Sequence, residues 1–154
     1  AAYHDGPFAN RGPLPPRVGQ ETTYTISWSV INSSNDVTNA MVKATLPAYV
    51  RWLDAVSPES EKVTFDESRG EVSWNLGAVD AGRGLTSAAR EAAFQVALLP
   101  SVSQVGETPV LITAPTLSGA DSFTHQTLLS AKRSIDIRIT GDSRYQSSDG
   151  TVAQ

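Results

Sequence analysis

The sequence predicts an all-β fold in which two antiparallel sheets of short strands, about seven to nine in all, pack face to face. Three observations carry that expectation. Apolar residues recur with period two along most of the chain, with little trace of helical period. Turn signals fall at intervals of about ten residues. Eleven Gly and nine Pro supply many of those turns and speak against a helical bundle. A closed barrel is the second architecture compatible with this pattern.

The alternation is plainest in VGQETTYTISWSVINSS, Val18 to Ser34. Tyr24, Ile26, Trp28 and Val30 fall on one side of an extended chain, and Thr23, Thr25, Ser27 and Ser29 on the other. One face is set to be buried and the hydroxyl face to meet water, over a strand from Glu21 to Asn32. NSSND then turns. A second strand, Val37 to Leu46, turns Ala40, Val42, Ala44 and Leu46 inward until Pro47 stops it. YVRWLDAVS gives a short third strand carrying Trp52. KVTFDESRGEVSWNLG reads as a hairpin: Val63 and Phe65 face in, Asp66 to Gly70 turn, and Val72, Trp74 and Leu76 face in again. Trp28 and Trp74 are therefore expected in the core from two different strands.

After the loop AVDAGRGLTSAAR, a helix over Ser87 to Ala93 competes with a strand in REAAFQVALLP, and the alternation of Phe94, Val96 and Leu98 favours the strand. ETPVLITAPTL supplies a strand through Val110 and Ile112, and SGADSF a loop. Gln126 to Thr140 reads as one last strand, with Ile135, Ile137 and Ile139 alternating with polar neighbours. The sandwich thus occupies residues 18–140. Residues 1–17, ending in GPLPPRVG, read as a leader or linker strand held extended by Pro13, Pro15 and Pro16. Residues 141–154 read as a polar linker or tail. The opening on Ala1 without an initiator Met fits a mature chain or a piece of a longer one.

Composition narrows the partners. A net charge of -4 leaves no basic stripe to neutralise phosphates, so nucleic acid is not an expected partner. No apolar run approaches the ~20 residues that span a bilayer, so this segment is not expected to be membrane-embedded. The absence of Cys removes disulfides and thiolate chemistry. Charged residues make up only 18%, which leaves a surface rich in hydroxyls and amides of the kind common on extracellular β-proteins.

Read in order, VGQETTYTISWSVINSSNDVTNAMVKATLP, VRW, GEVSWNLGAVDAG and AAFQVAL resemble the repeat domain of prokaryotic surface proteins called domain of unknown function eleven. ATLPAYVRW and AREAAFQVALLPS more closely resemble the version in surface proteins of candidate-phyla-radiation bacteria. The resemblance runs from about Val18 to Pro100, more weakly to Leu117. It implies an immunoglobulin-like sandwich on a cell-surface or secreted protein, often repeated along a stalk, with no family catalytic residues. Gly19 and Gly77 match its glycines and would serve turns. The strands beyond Pro100 depart from the family's usual boundary.

Candidate chemistry is sparse. His4 and His125 each have an acid nearby, Asp5 and Asp121, but a zinc site needs three or four converging ligands. Asp66, Glu67 and Asp80 lie in acidic turns that offer too few oxygens for calcium. No metal or cofactor is expected. Asp54, Glu59, Glu61 and Glu91 lie in turn-like, solvated contexts, and no G-x-S-x-G occurs, so no catalytic residue and no enzyme activity are assigned. Lys43, on the polar side of its strand, reads as solvated and not as one end of an internal amide crosslink.

Two pairs of aromatics remain. Trp52 and Tyr49 are candidate glycan contacts, which makes a carbohydrate-binding accessory module the alternative reading. Tyr3 and Phe8, in AAYHDGPFAN, are candidate inter-subunit contacts. The first reading is a non-catalytic structural or adhesive module of a bacterial cell-surface protein or extracellular filament, meeting neighbouring domains or copies of itself through its terminal segments.

Overall fold

The computed structural model describes residues 1–154. It contains ten strands: β1 (Thr22–Val30), β2 (Val37–Thr45), β3 (Val50–Ser57), β4 (Lys62–Asp66), β5 (Glu71–Val79), β6 (Arg90–Leu98), β7 (Val110–Ile112), β8 (Thr116–Asp121), β9 (Thr127–Ala131) and β10 (Ile135–Asp136). One sheet has the order β1-β6-β3 and the other β4-β5-β2-β8-β9, with β7 and β10 forming a separate pair. All pairings are antiparallel. No helix is long and apolar enough to cross a membrane.

The inward sets follow the alternation. Tyr24, Ile26, Trp28 and Val30 of β1, with Phe94, Val96 and Leu98 of β6, meet Ala40, Val42, Ala44, Val72, Trp74 and Leu76 of the opposing sheet in one cluster of 22 buried residues. Trp74 is fully buried and Trp28 is 6% exposed. The Trp28 ring packs edge-on against Phe94 at 4.9 Å between centroids, a favourable geometry for two ring quadrupoles. Phe65 is only half-buried, because β4 is an edge strand of the wider sheet.

Four sequence expectations change. Gln126 to Thr140 is not one strand but β9, a break at Lys132–Ser134, and β10; Ile137 is fully buried in the extended chain beyond. SGAD lies inside β8 and not in a loop, so the turn to β9 falls at Ser122–Gln126. Gly77 does not serve a turn. It holds φ 66° inside β5, opposite Ala40, where the β2 register shifts and Asn39 has φ 51°; this is a bulge, the left-handed backbone of which suits Gly and Asn.

The fourth change concerns the hydroxyl face of β1. Ser27 and Ser29 are exposed as expected, but Thr23 and Thr25 are buried at 4% and 0% exposure. Residues 1–13 lie over them. Ala2 and Thr25 exchange backbone hydrogen bonds at 2.8 and 2.9 Å, and the Thr23 amide donates to the Arg11 carbonyl at 2.8 Å. Gly12 makes this approach feasible: with φ 105°, a Cβ there would stand 2.2 Å from the Glu21 carbonyl oxygen.

Trp28→Ala and Trp74→Ala are each expected to cost about 3 to 5 kcal/mol, the usual range for emptying a large aromatic site in a core. Urea unfolding measures this directly. Losses below about 1 kcal/mol at both sites would mean that the inter-sheet packing drawn here is wrong.

Candidate functional site

The most highly connected region outside the core is the seam where the first and last segments of the chain meet. Asp142 is buried at 7% exposure. Its Oδ2 accepts three successive amides, from Tyr3 at 3.1 Å, His4 at 2.6 Å and Asp5 at 3.3 Å, and its Oδ1 accepts the Arg144 amide at 3.3 Å. Burial alone would push this carboxyl up, but the backbone donors together outweigh it and hold it below the usual carboxylate range. Arg144 Nη2 in turn donates to the His4 carbonyl at 3.2 Å.

The leader is also tied to both strands beneath it. Asn10 Nδ2 donates to Thr25 Oγ1 at 2.9 Å, and Gln95 Nε2 of β6 donates to Asn10 Oδ1 at 2.9 Å. Thr22 Oγ1 donates to the Pro13 carbonyl at 3.0 Å. The threonine hydroxyls therefore serve protein and not solvent. At the other side of the seam, the Ala153 amide donates to the Pro16 carbonyl at 2.7 Å, and Val152 exchanges hydrogen bonds with the loop at Gly106 and Glu107. Val152 itself is 3% exposed. Tyr145 sets its hydroxyl on the Ile137 and Asp149 carbonyl oxygens, and burial pushes its pKa up.

Tyr3 is half-buried against the core, its hydroxyl donating to the Gly12 carbonyl at 2.7 Å and its ring set edge-on to Tyr24 at 6.0 Å. Phe8 is half-buried. Tyr3 belongs to the seam of its own chain. Trp52 and Tyr49 are half-buried and packed against the core. The Trp52 ring stacks on Phe65 at 5.7 Å and 18°, and lies 5.2 Å from Phe94. No ring contact joins it to Tyr49.

The acidic candidates divide. Asp54, Glu59 and Glu91 are exposed, but Glu61 is not solvated: its side chain is 11% exposed. Arg90 grips it through Nε at 2.9 Å and Nη2 at 2.7 Å, and the Trp74 indole N–H donates to its Oε2 at 2.8 Å. The Arg90 hydrogen bonds are the chief reason its pKa falls, with burial opposing and the Trp74 bond assisting. This network joins β5 to the start of β6, and hence one sheet to the other. Sequence missed it because its members are far apart in the chain, and only the pairing of strands brings them together.

The remaining candidates are used locally. Asp66 caps its own turn, accepting from the Ser68 hydroxyl and amide and the Arg69 amide. Asp80 faces Arg83 at 3.8 Å. Asp121 accepts the Phe123 and Thr124 amides at 2.8 Å each, while its backbone carbonyl accepts the His125 amide, so the acid near His125 is a turn cap. No three His, Asp or Glu side chains converge. Lys43 is solvated and pairs with Glu71 at 2.9 Å.

Acid stability should report the seam. The Asp142 pKa is lowered in the folded state, so its contribution is complete above the unfolded value of about 4 and is lost as pH falls through the folded value. Asp142→Ala leaves amides without their charged acceptor and is expected to cost roughly 1.5 to 3 kcal/mol at neutral pH. It should also flatten the loss of stability below about pH 4. An unchanged acid limb in urea titrations would show that the latch contributes nothing.

Among known proteins, no family model matches the chain, and no curated protein is a significant match. A solved structure of domains D2 and D3 of the major pilin SpaD from Corynebacterium diphtheriae is similar, with a TM-score of 0.46 and 12% identity. The similarity covers 79% of this chain and 47% of that one, so the chain spans less than half of the pilin fragment.

Proposed function

We propose that the chain is a non-catalytic structural module of a bacterial cell-surface protein or extracellular filament. Residues 18–140 form the sandwich proper, and the flanking segments are docked connectors. The observation that supports this most is that the acidic side chains serve structural partners: Glu61 accepts from Arg90 and Trp74, Asp66 from Ser68 and Arg69, Asp121 from Phe123 and Thr124, and Asp142 from Tyr3, His4 and Asp5. The surface location rests on the resemblance of Val18 to Pro100 to the surface-protein repeat domain.

Immunogold labelling of producing cells tests the location. Label outside the envelope is expected; label confined to the cytosol would overturn the proposal. Calcium and EDTA should leave the melting temperature unmoved, because only a ligand that prefers the folded state raises it. A rise of several degrees with calcium would reopen the acidic turns at Asp66, Glu67 and Asp80.

Assembly through Tyr3 and Phe8 belongs to the same proposal. A leader exchanged between copies would make in trans the contacts it makes in cis, the usual route of swapped dimers. Mixed dimers formed by two differently tagged chains, and suppressed by Tyr3→Ala with Phe8→Ala, are the expected result. The carbohydrate alternative has less support, because the Trp52 ring is engaged by Phe65 and Phe94. Glycan-array binding that vanishes in a folded Trp52→Ala variant would reverse that preference.

A further inference from the structure

A β-sheet edge exposes unpaired N–H and C=O groups, and soluble proteins protect such edges with charges, bulges or covering segments. Three of the four edges of the two larger sheets carry such protection. On β4, Lys62 and Asp66 are exposed and charged. On β3, the register breaks between Trp52 and Val56, where Asp54 has φ 53°. On β1, the leader covers Thr23 and Thr25. The fourth edge, β9, has none of these: its sequence TLLSA lacks charge and proline, all five residues are exposed, and its register with β8 is unbroken.

The unpaired groups of β9 can be identified. The Asp121 amide donates to the Gln126 carbonyl and the Lys132 amide to the Pro115 carbonyl, at 2.9 and 3.1 Å. By the alternation of an antiparallel ladder, even-numbered residues turn to β8, and Thr127, Leu129 and Ala131 turn their N–H and C=O groups outward. Leu129 is 73% exposed, Leu128 39%, Phe123 in the adjoining turn 84%, and Ile31, which shares a cleft of about 170 Å³ with both leucines, 63%. That cleft is also lined by Val30 at the end of β1, beyond the residues that the leader covers.

We propose that the β9 edge pairs with β9 of a second copy of this chain, antiparallel, with Leu129 at the twofold. This goes beyond the structural-module reading and does not depend on where the protein resides. The outward set Thr127, Leu129 and Ala131 is symmetric about Leu129 and so can meet itself, and the flanking charges select the direction. Antiparallel pairing about Leu129 opposes Thr127 to Ala131 and sets Lys132 against Gln126 and Arg133 against His125, so no lysine or arginine meets its like. Parallel pairing would stack Lys132 on Lys132 and Arg133 on Arg133, and like charges directly opposite are destabilising. In the antiparallel register all three outward residues find partners, which makes the interface isologous and closed. Two five-residue strands bury less than the roughly 1,200 Å² of a stable interface, so a single module should associate weakly and tandem modules more strongly.

Sedimentation equilibrium over a concentration series, with residue-resolved amide exchange on the same samples, tests the proposal. Mass should rise with concentration, and protection should rise at Thr127, Leu129 and Ala131 while Leu128 and Ser130, already bonded to β8, stay constant. Leu129→Lys puts two ammonium groups face to face at the twofold and should weaken association roughly tenfold or more, with the melting temperature unchanged. Thr127→Lys, at an exposed site at the start of the strand, sets a lysine diagonal to Arg133 of the second copy and is expected to weaken association in the same direction if the first variant folds poorly. A monomer at every concentration would overturn the proposal. So would association that survives both variants but is abolished by Tyr3→Ala with Phe8→Ala, which would assign the contact to the leader.

Discussion

A three-stranded sheet buries one face against its partner sheet and leaves the other, together with the margin of its outermost strand, to be dealt with by something else. In this chain the strand in question is β1. Its inner face is committed to the core through Tyr24, Ile26, Trp28 and Val30, and its neighbour β6 satisfies one edge. The outer face and the other edge fall to residues 1–13. Much else follows from that covering segment. Threonines replace exposed serines where it lies, because hydroxyls under a second backbone layer need defined partners. Glycine stands at position 12 because the two backbones come too close there for a side chain. Asp142 is buried because the leader's three amides require an acceptor.

The same requirement for partners organises the opposite side of the core. Trp74 is fully buried, and its indole N–H finds its acceptor within the protein. Glu61 provides it, but a carboxylate at 11% exposure needs a counter-charge. Arg90 supplies it in a fork, and so anchors the first residue of β6 to the facing sheet. A buried pair of this kind adds little net stability over apolar residues of the same shape. Its consequence is positional: it allows one alignment of β5 against β6. The Trp28 indole N–H has no such acceptor, although it is equally withdrawn from solvent, so the two tryptophans that look alike in sequence differ in how completely their polar atoms are satisfied.

What could be read in the sequence was whatever depends on a residue and its neighbours two places away. The inward faces of β1, β2, β5 and β6 obey period two, and the structure buries those residues. The strand endings at Pro47 and Pro100 were equally local. What could not be read depended on a second segment far along the chain. Thr23 and Thr25 look like the wet side of a strand until the leader is laid over them. Glu61 looks like a turn acid until Arg90 and Trp74 arrive. The isoleucine alternation near Ile137 reads as a continuous strand, but burial of that residue does not require a ladder. Asp142, preceded by Gly141 in a polar stretch, carried no signal that it would be the acceptor for three distant amides.

These local and distant constraints meet in the seam. A terminal segment tied only to its own neighbours in sequence frays independently of the domain. Here Asp142 ties residues 3–5 to the last segment, Ala153 ties Pro16 to it, and Val152 ties it to Glu107. The first two ties join residues on opposite sides of the sandwich in sequence, and the third joins the last segment to a loop of the sandwich itself, so loosening one segment removes acceptors or donors from the other. Force directed along either end would therefore reach this set of hydrogen bonds before it reached the core, and the two ends would resist it together. The β9 edge stands outside that arrangement, with the N–H and C=O groups of Thr127, Leu129 and Ala131 turned away from β8.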